Sequence, residues 1–159
     1  MPEAPEARRE FGSAIAGRSY VLRPGGYAVI RNRLNEVAVV RTPEGLFLPG
    51  GGQLPGESPD QAAIRETAEE SGLRIQVGVC LGVADELKFS AREGGHLRKR
   101  CTFFAADAPD GAREAAIELD HELLWLPFPE AIAQLSDESQ RWAVGIALGE
   151  ADGPGGGYG

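Results

Sequence analysis

The sequence predicts an α/β sandwich with a mixed β-sheet, and three observations carry that prediction. Aliphatic and β-branched runs of strand length are interleaved with two helical segments. The helices bring their own start or stop residues. The order is strand-rich, helical, strand-rich, helical, with no internal repeat.

Taken in order, residues 1–16 read as loosely held, and their acidic, Pro-rich start over residues 1–6 lacks the form of a signal peptide. Residues 26–31 and 36–41 are strand-like and joined through Asn32-Arg33-Leu34-Asn35 as an expected hairpin. Phe47-Leu48-Pro49 leads into a glycine loop. Ser58-Pro59-Asp60-Gln61 then predicts a helix start, with Ser at the cap, Pro first and Gln third. Gly72 supplies its stop. Residues 74–83 and 100–106 read as strands and 123–126 as a short one. A short helix over 129–135 precedes a longer one from Ser136 to about Gly149. Residues 151–159 form a Gly-rich tail, which leaves one domain over residues 17–150.

Composition narrows the class. Hydrophobic residues make up 42% and charged residues 25%, as in ordinary globular chains. No apolar run approaches the roughly 20 residues of a membrane span, and the expected compartment is the cytoplasm. Cys80 and Cys101 lie in apolar stretches without metal-ligand spacing, so buried reduced thiols are expected. A formal net charge of −8 argues against nucleic acid as a partner. It also means that a phosphorylated substrate needs a cation to approach. Arg supplies 14 of the 16 basic residues, a bias that fits a GC-rich bacterial genome.

Gly50 to Ser58 superficially follows a P-loop, with Gly51 and Gly56 at the right spacing. The lysine position holds Glu57, which would repel phosphate, so that reading fails. On a helical wheel Glu66, Glu69 and Glu70 cluster on one side, opposite Ile64, Thr67, Ala68 and Ser71. Spacing of i, i+3 and i+4 sets the carboxylates about 5–6 Å apart. In a cleft each such pair costs roughly 3 kcal/mol. The face is either a solvated acidic surface or a site for a hard cation, for which carboxylates are suited.

Residues 51–73 resemble the Nudix box, Gly-x5-Glu-x7-Arg-Glu-U-x-Glu-Glu-x-Gly-U, where U is usually bulky and aliphatic. Gly51, Glu57, Arg65, Glu66, Glu69, Glu70, Gly72 and Leu73 fall in register, and Thr67 departs from the aliphatic preference. Weaker likeness to MutT-like members extends to residues 26–30 and 120–126. The resemblance implies a Nudix-type α/β/α sandwich and a pyrophosphohydrolase that uses Mg²⁺ or Mn²⁺. It implies Glu66, Glu69 and Glu70 as metal ligands, with the Gly51 carbonyl a further candidate. Arg65 would orient the carboxylates, and Glu57 would brace the loop against the helix. The general base is either Glu66 or one of Glu118, Asp120 and Glu122.

Residues 88–100 hold five basic side chains around Gly94-Gly95, the expected tip of a hairpin. Arg98 and Arg100 are the candidate substrate-binding groups, guiding phosphates to the metal; a charged edge that resists aggregation is the competing reading. Marks of the ADP-ribose, dinucleoside-polyphosphate and CoA subfamilies are missing. The expected substrate is therefore a nucleoside di- or triphosphate or a related nucleoside diphosphate derivative. A dinucleoside polyphosphate, a nucleotide sugar, and a non-catalytic nucleotide-binding module are the alternatives. An isomerase of the same fold would want a reactive Cys, and neither cysteine is convincingly placed. A homodimer is a possible assembly.

Overall fold

The computed structural model describes residues 8–109 and 120–152. Its elements are β1 (Arg9–Phe11), β2 (Val21–Ile30), β3 (Glu36–Thr42), β4 (Gly45–Phe47), β5 (Gly50–Gly52), α1 (Pro59–Ser71), β6 (Gln76–Ser90), β7 (Gly95–Asp107), β8 (Glu122–Pro127), α2 (Phe128–Gln134) and α3 (Glu138–Asp152). They form a five-stranded sheet ordered β1-β6-β7-β2-β5 and a three-stranded sheet ordered β4-β3-β8. The larger sheet is mixed: β1 and β6 pair in parallel, as do β7 and β2, while β6–β7 and β2–β5 are antiparallel.

Burial follows from this layering. Tyr27 and Val29 of β2 pack with Phe103 of β7 and with Phe128, Ala131, Ala143 and Val144 of α2 and α3. Their alternates Ala28 and Ile30 face the other way, onto Leu73 and Ile75 after α1. Helices thus cover both faces, and residues 27–30 of β2 and 37–40 of β3 read as apolar runs because neither side meets water. Among the described residues no helix is long and apolar enough to cross a membrane.

Four expectations change. Residues 26–31 and 36–41 do not continue as a hairpin: only Arg31 and Val37 bridge, after which the two strands enter different sheets. The turn, with Asn35 at φ 62°, hands the chain from one sheet to the other. Part of the expected tail is ordered, since β1 pairs with residues 84–86 of β6 and Phe11 stacks 5.9 Å from Trp142. The glycine loop begins as strand β5, held antiparallel to the glycines of β2. Finally, Cys80 is exposed while Cys101 is buried, its thiol pushed up to about 12 by burial. β6 bulges on both sides of Cys80, which shifts that stretch out of register with the core.

Candidate active site

The acidic helix is fastened at both ends by its own sequence. Ser58 accepts from the Gln61 N–H while the Gln61 side chain accepts from the Ser58 N–H, a reciprocal cap on α1. Gly72 ends the helix at φ 79°, a left-handed conformation that a side chain would strain. Thr67 and Ser71 are fully buried, which fixes the face of α1 turned to the protein. Ile64, expected on that face, is instead 40% exposed.

Arg65 organises the opposite face. Its Nε and Nη2 grip the two carboxylate oxygens of Glu57 at 2.8 and 3.0 Å, and Nη2 also reaches the Gly52 carbonyl at 3.0 Å. Nη1 donates to Glu66 at 3.0 Å and to Glu69 at 3.2 Å. All five guanidinium N–H directions are therefore used, as a planar fork allows. The fork joins β5, the loop and two carboxylates of α1, and it holds the Glu57 carboxyl below its usual range. Arg65 is thus a positioning residue.

Glu66 lies against Gly51, where a Cβ would overlap its carboxylate, so any residue but glycine would push that group away. Burial pushes the Glu66 carboxyl up to about 7; Glu69 adds to the rise, and Arg65 opposes it. Glu70 accepts from the Gly50 N–H at 3.0 Å and lies 3.6 Å from His121 Nε2. His121 in turn meets Asp120 through Nδ1 at 2.9 Å.

These groups border a cleft of about 240 Å³. Glu66, Glu70 and Gly50–Gly52 line it together with Lys88, Arg92, Glu93 and Lys99, and so do Tyr27, Phe47, His121 and Gln140. Glu69 sits beside this cleft, tied to Glu66 through Arg65. Among the described residues, no three carboxylate, imidazole or thiolate groups converge closely enough to hold a metal ion with the side chains so arranged. A larger hollow of about 1260 Å³ lies between residues 31–34, the start of β6 and the end of β7, and shares no residue with α1. The smaller cleft holds the concentration of titratable groups, so we place the chemistry there.

Three candidates from the sequence lie elsewhere. Arg98 and Arg100 both bind Asp85, at 3.1 and 3.0 Å, and Arg98 also binds Glu10 at 2.6 Å. They alternate with Lys99 along β7 and so occupy the face turned away from the cleft. Glu122 leaves the cleft for the same reason: it follows His121, and it is 63% exposed beside Arg41 at 3.7 Å. Glu118 lies outside the described residues. In their place the cleft gains Lys88, Lys99 and His121. Lys99 had a legible signal, since Leu97, Cys101 and Phe103 at alternate positions are apolar and buried. The two lysines are also the only ones in the chain.

Known proteins resemble the chain in part of its sequence and in its fold. Mouse diphosphoinositol polyphosphate phosphohydrolase 3-alpha is 44% identical over 57 residues, 34% of this chain and 35% of the relative. A Bacillus subtilis protein named putative 8-oxo-dGTP diphosphatase is 33% identical over 67 residues, 41% of this chain and 45% of its own. The chain thus spans between about a third and a half of the length of these relatives. A Nudix hydrolase structure from Nitrosomonas europaea superposes with a TM-score of 0.65 at 21% identity, covering 79% of this chain and 88% of the other. The model of the NUDIX domain matches residues 21–144, nearly the whole sandwich together with its acidic helix, and the chain therefore belongs to the Nudix family.

Proposed function

We propose that the protein hydrolyses a pyrophosphate bond in a nucleoside di- or triphosphate, or a related nucleoside diphosphate derivative, with Mg²⁺ or Mn²⁺ as cofactor. One observation carries the reading: a single cleft is lined both by the carboxylates Glu66 and Glu70 and by the cations Lys88, Arg92 and Lys99. A divalent cation suits the carboxylates, and a polyphosphate suits the basic groups.

The residues fit a hard divalent ion. Their donors are carboxylate and backbone oxygens. Burial, and then Glu69, push the Glu66 carboxyl up to about 7 against the pull of Arg65, so a cation at this position would favour its charged form. Glu66, Glu69 and Glu70, with the Gly51 carbonyl, would hold the ion. When bound, it supplies charge neutralisation at phosphorus and acidification of water.

The chain's own groups do the rest. Arg65 holds Glu66 and Glu69 in place, and Lys88, Arg92 and Lys99 orient phosphate oxygens. Of the candidate bases, Glu66 borders the cleft, Asp120 is engaged by His121, and Glu122 faces away. Among the candidates within the described residues, Glu66 is therefore the base we assign.

The test is product identification. The protein is incubated with Mg²⁺ and a panel of nucleoside phosphates, dinucleoside polyphosphates, nucleotide sugars and diphosphoinositol polyphosphates. Metal-dependent cleavage between phosphates is expected. Turnover that survives EDTA would refute the metal's role. Tight nucleotide binding without turnover would make the protein a non-catalytic module.

A further inference from the structure

We propose that Lys99 and Tyr27 form a seat for one phosphate group of the substrate, and that the Glu93 carboxylate occupies this seat until the phosphate arrives. The inference rests on the cleft being a polyphosphate site, and it assigns Glu93 the part of an internal competitor.

Lys99 is the starting point. Its side chain is 12% exposed, and its ammonium lies 5.6 Å from the centre of the Tyr27 ring. A desolvated ammonium needs an anion nearby. Glu93 meets it at 3.6 Å, beyond the roughly 2.7–2.9 Å of a charge-assisted hydrogen bond. The charge is accompanied but not closely bonded by that carboxylate.

The other lysine shows the contrast. Lys88 binds Asp137 at 2.9 Å, and the Asp137 side chain is only 9% exposed. The Asp137 backbone carbonyl also accepts from Gln140 and Arg141 in the first turn of α3. That partner is fixed by the fold, so Lys88 is held in place. Glu93 instead stands at the β6–β7 hairpin tip, 33% exposed.

Glu93 also has an alternative partner. Its other carboxylate oxygen lies 3.8 Å from Arg23 Nη1, and Arg23 Nη2 donates to its backbone carbonyl at 3.3 Å. When a phosphate takes Lys99, the carboxylate can turn fully to Arg23 while the tip stays anchored. Glu93 would thereby set the threshold of anionic charge that a ligand must bring. An orthophosphate competes weakly, whereas a chain of phosphates displaces the carboxylate and meets Arg92 and Lys88 in the same cleft as well.

The experiment is a calorimetric titration of sodium tripolyphosphate into protein held in EDTA, comparing wild type, Glu93→Gln and Lys99→Gln. Glu93→Gln should bind about fivefold more tightly, the upper range for a part-exposed ion pair. KM for a nucleoside triphosphate should fall by a similar factor, and by more than kcat changes. Lys99→Gln should lose tripolyphosphate binding; if that variant does not fold, Glu93→Gln decides alone. An unchanged affinity in Glu93→Gln overturns the seat, whatever the turnover. Tighter tripolyphosphate binding in a protein that cleaves no pyrophosphate would leave the seat standing and remove the proposed function.

Discussion

Replacing Glu66 by glutamine is expected to stabilise the metal-free protein only at pH values where the native carboxyl would be charged. The Glu66 carboxyl is pushed up from 4.5 to about 7, by burial first and then by Glu69. The folded state holds this proton more tightly than the unfolded chain. Its contribution to stability is therefore complete below pH 4.5 and is lost as pH rises through about 7. At 1.36 kcal/mol per pH unit the full loss approaches about 3 kcal/mol. Solvent at the mouth of the cleft, where the side chain is 21% exposed, reduces this to on the order of 1–2 kcal/mol. Glutamine keeps the volume and an oxygen for Arg65, but it carries no charge at any pH. Urea unfolding in EDTA between pH 4 and 9 measures the difference between the two proteins, which cancels their other titrating groups. The variant should gain on wild type from about pH 5 and level off above pH 8. Saturating Mg²⁺ should reverse the order, since a hundredfold excess over Kd stabilises wild type by about 2.7 kcal/mol. A difference that is flat with pH, or that favours wild type at alkaline pH without metal, would refute a crowded carboxylate at this position.

Three further outcomes are expected. Arg65→Lys keeps the charge but cannot span Glu57, Gly52, Glu66 and Glu69 together, so kcat should fall on the order of 10–100-fold while KM changes little; steady-state kinetics checks this. The double change Arg98→Ala with Arg100→Ala strands Asp85, whose side chain is 4% exposed, and should cost about 3 kcal/mol in denaturant melts without moving KM. Burial raises the Asp85 carboxyl, but Arg100 and Arg98 outweigh it and the net shift is downward; the loss should therefore show above about pH 4 and fade below it. Glu122→Gln should retain kcat/KM within about twofold, as for a surface group beside Arg41, and a hundredfold loss would restore it as a base.

What was legible in the sequence was local. Ser58, Pro59, Gln61 and Gly72 act within a turn of their own positions, so the ends of α1 and its carboxylate face follow from nearest neighbours. β5 was not legible: Gly50, Gly51 and Gly52 have no strand propensity and become a strand only because Gly25, Gly26 and Tyr27 lie alongside. The split of β2 and β3 into separate sheets is likewise decided by distant partners, β7 for one and β8 for the other. In the run Arg98-Lys99-Arg100 charge alone does not tell the two faces apart. The period-two apolar positions 97, 101 and 103 do, and they put the lysine inside and the arginines outside. His121 carried no such mark, because its position depends on β8 approaching the end of α1.

An acidic chain that uses arginine almost everywhere else has kept both of its lysines for one cleft. A small amine-directed reagent therefore finds, apart from the α-amino group, only two ammonium targets, and both border the proposed site. Arginine elsewhere leaves the remaining surface silent to such chemistry. Reductive methylation followed by peptide mass spectrometry would thus report cleft occupancy without an engineered probe. Lys88, held by Asp137, and Lys99, beneath Glu93, would be read as separate channels. A ligand that slows labelling at Lys99 while sparing Lys88 would be located to one side of the cleft by covalent chemistry alone.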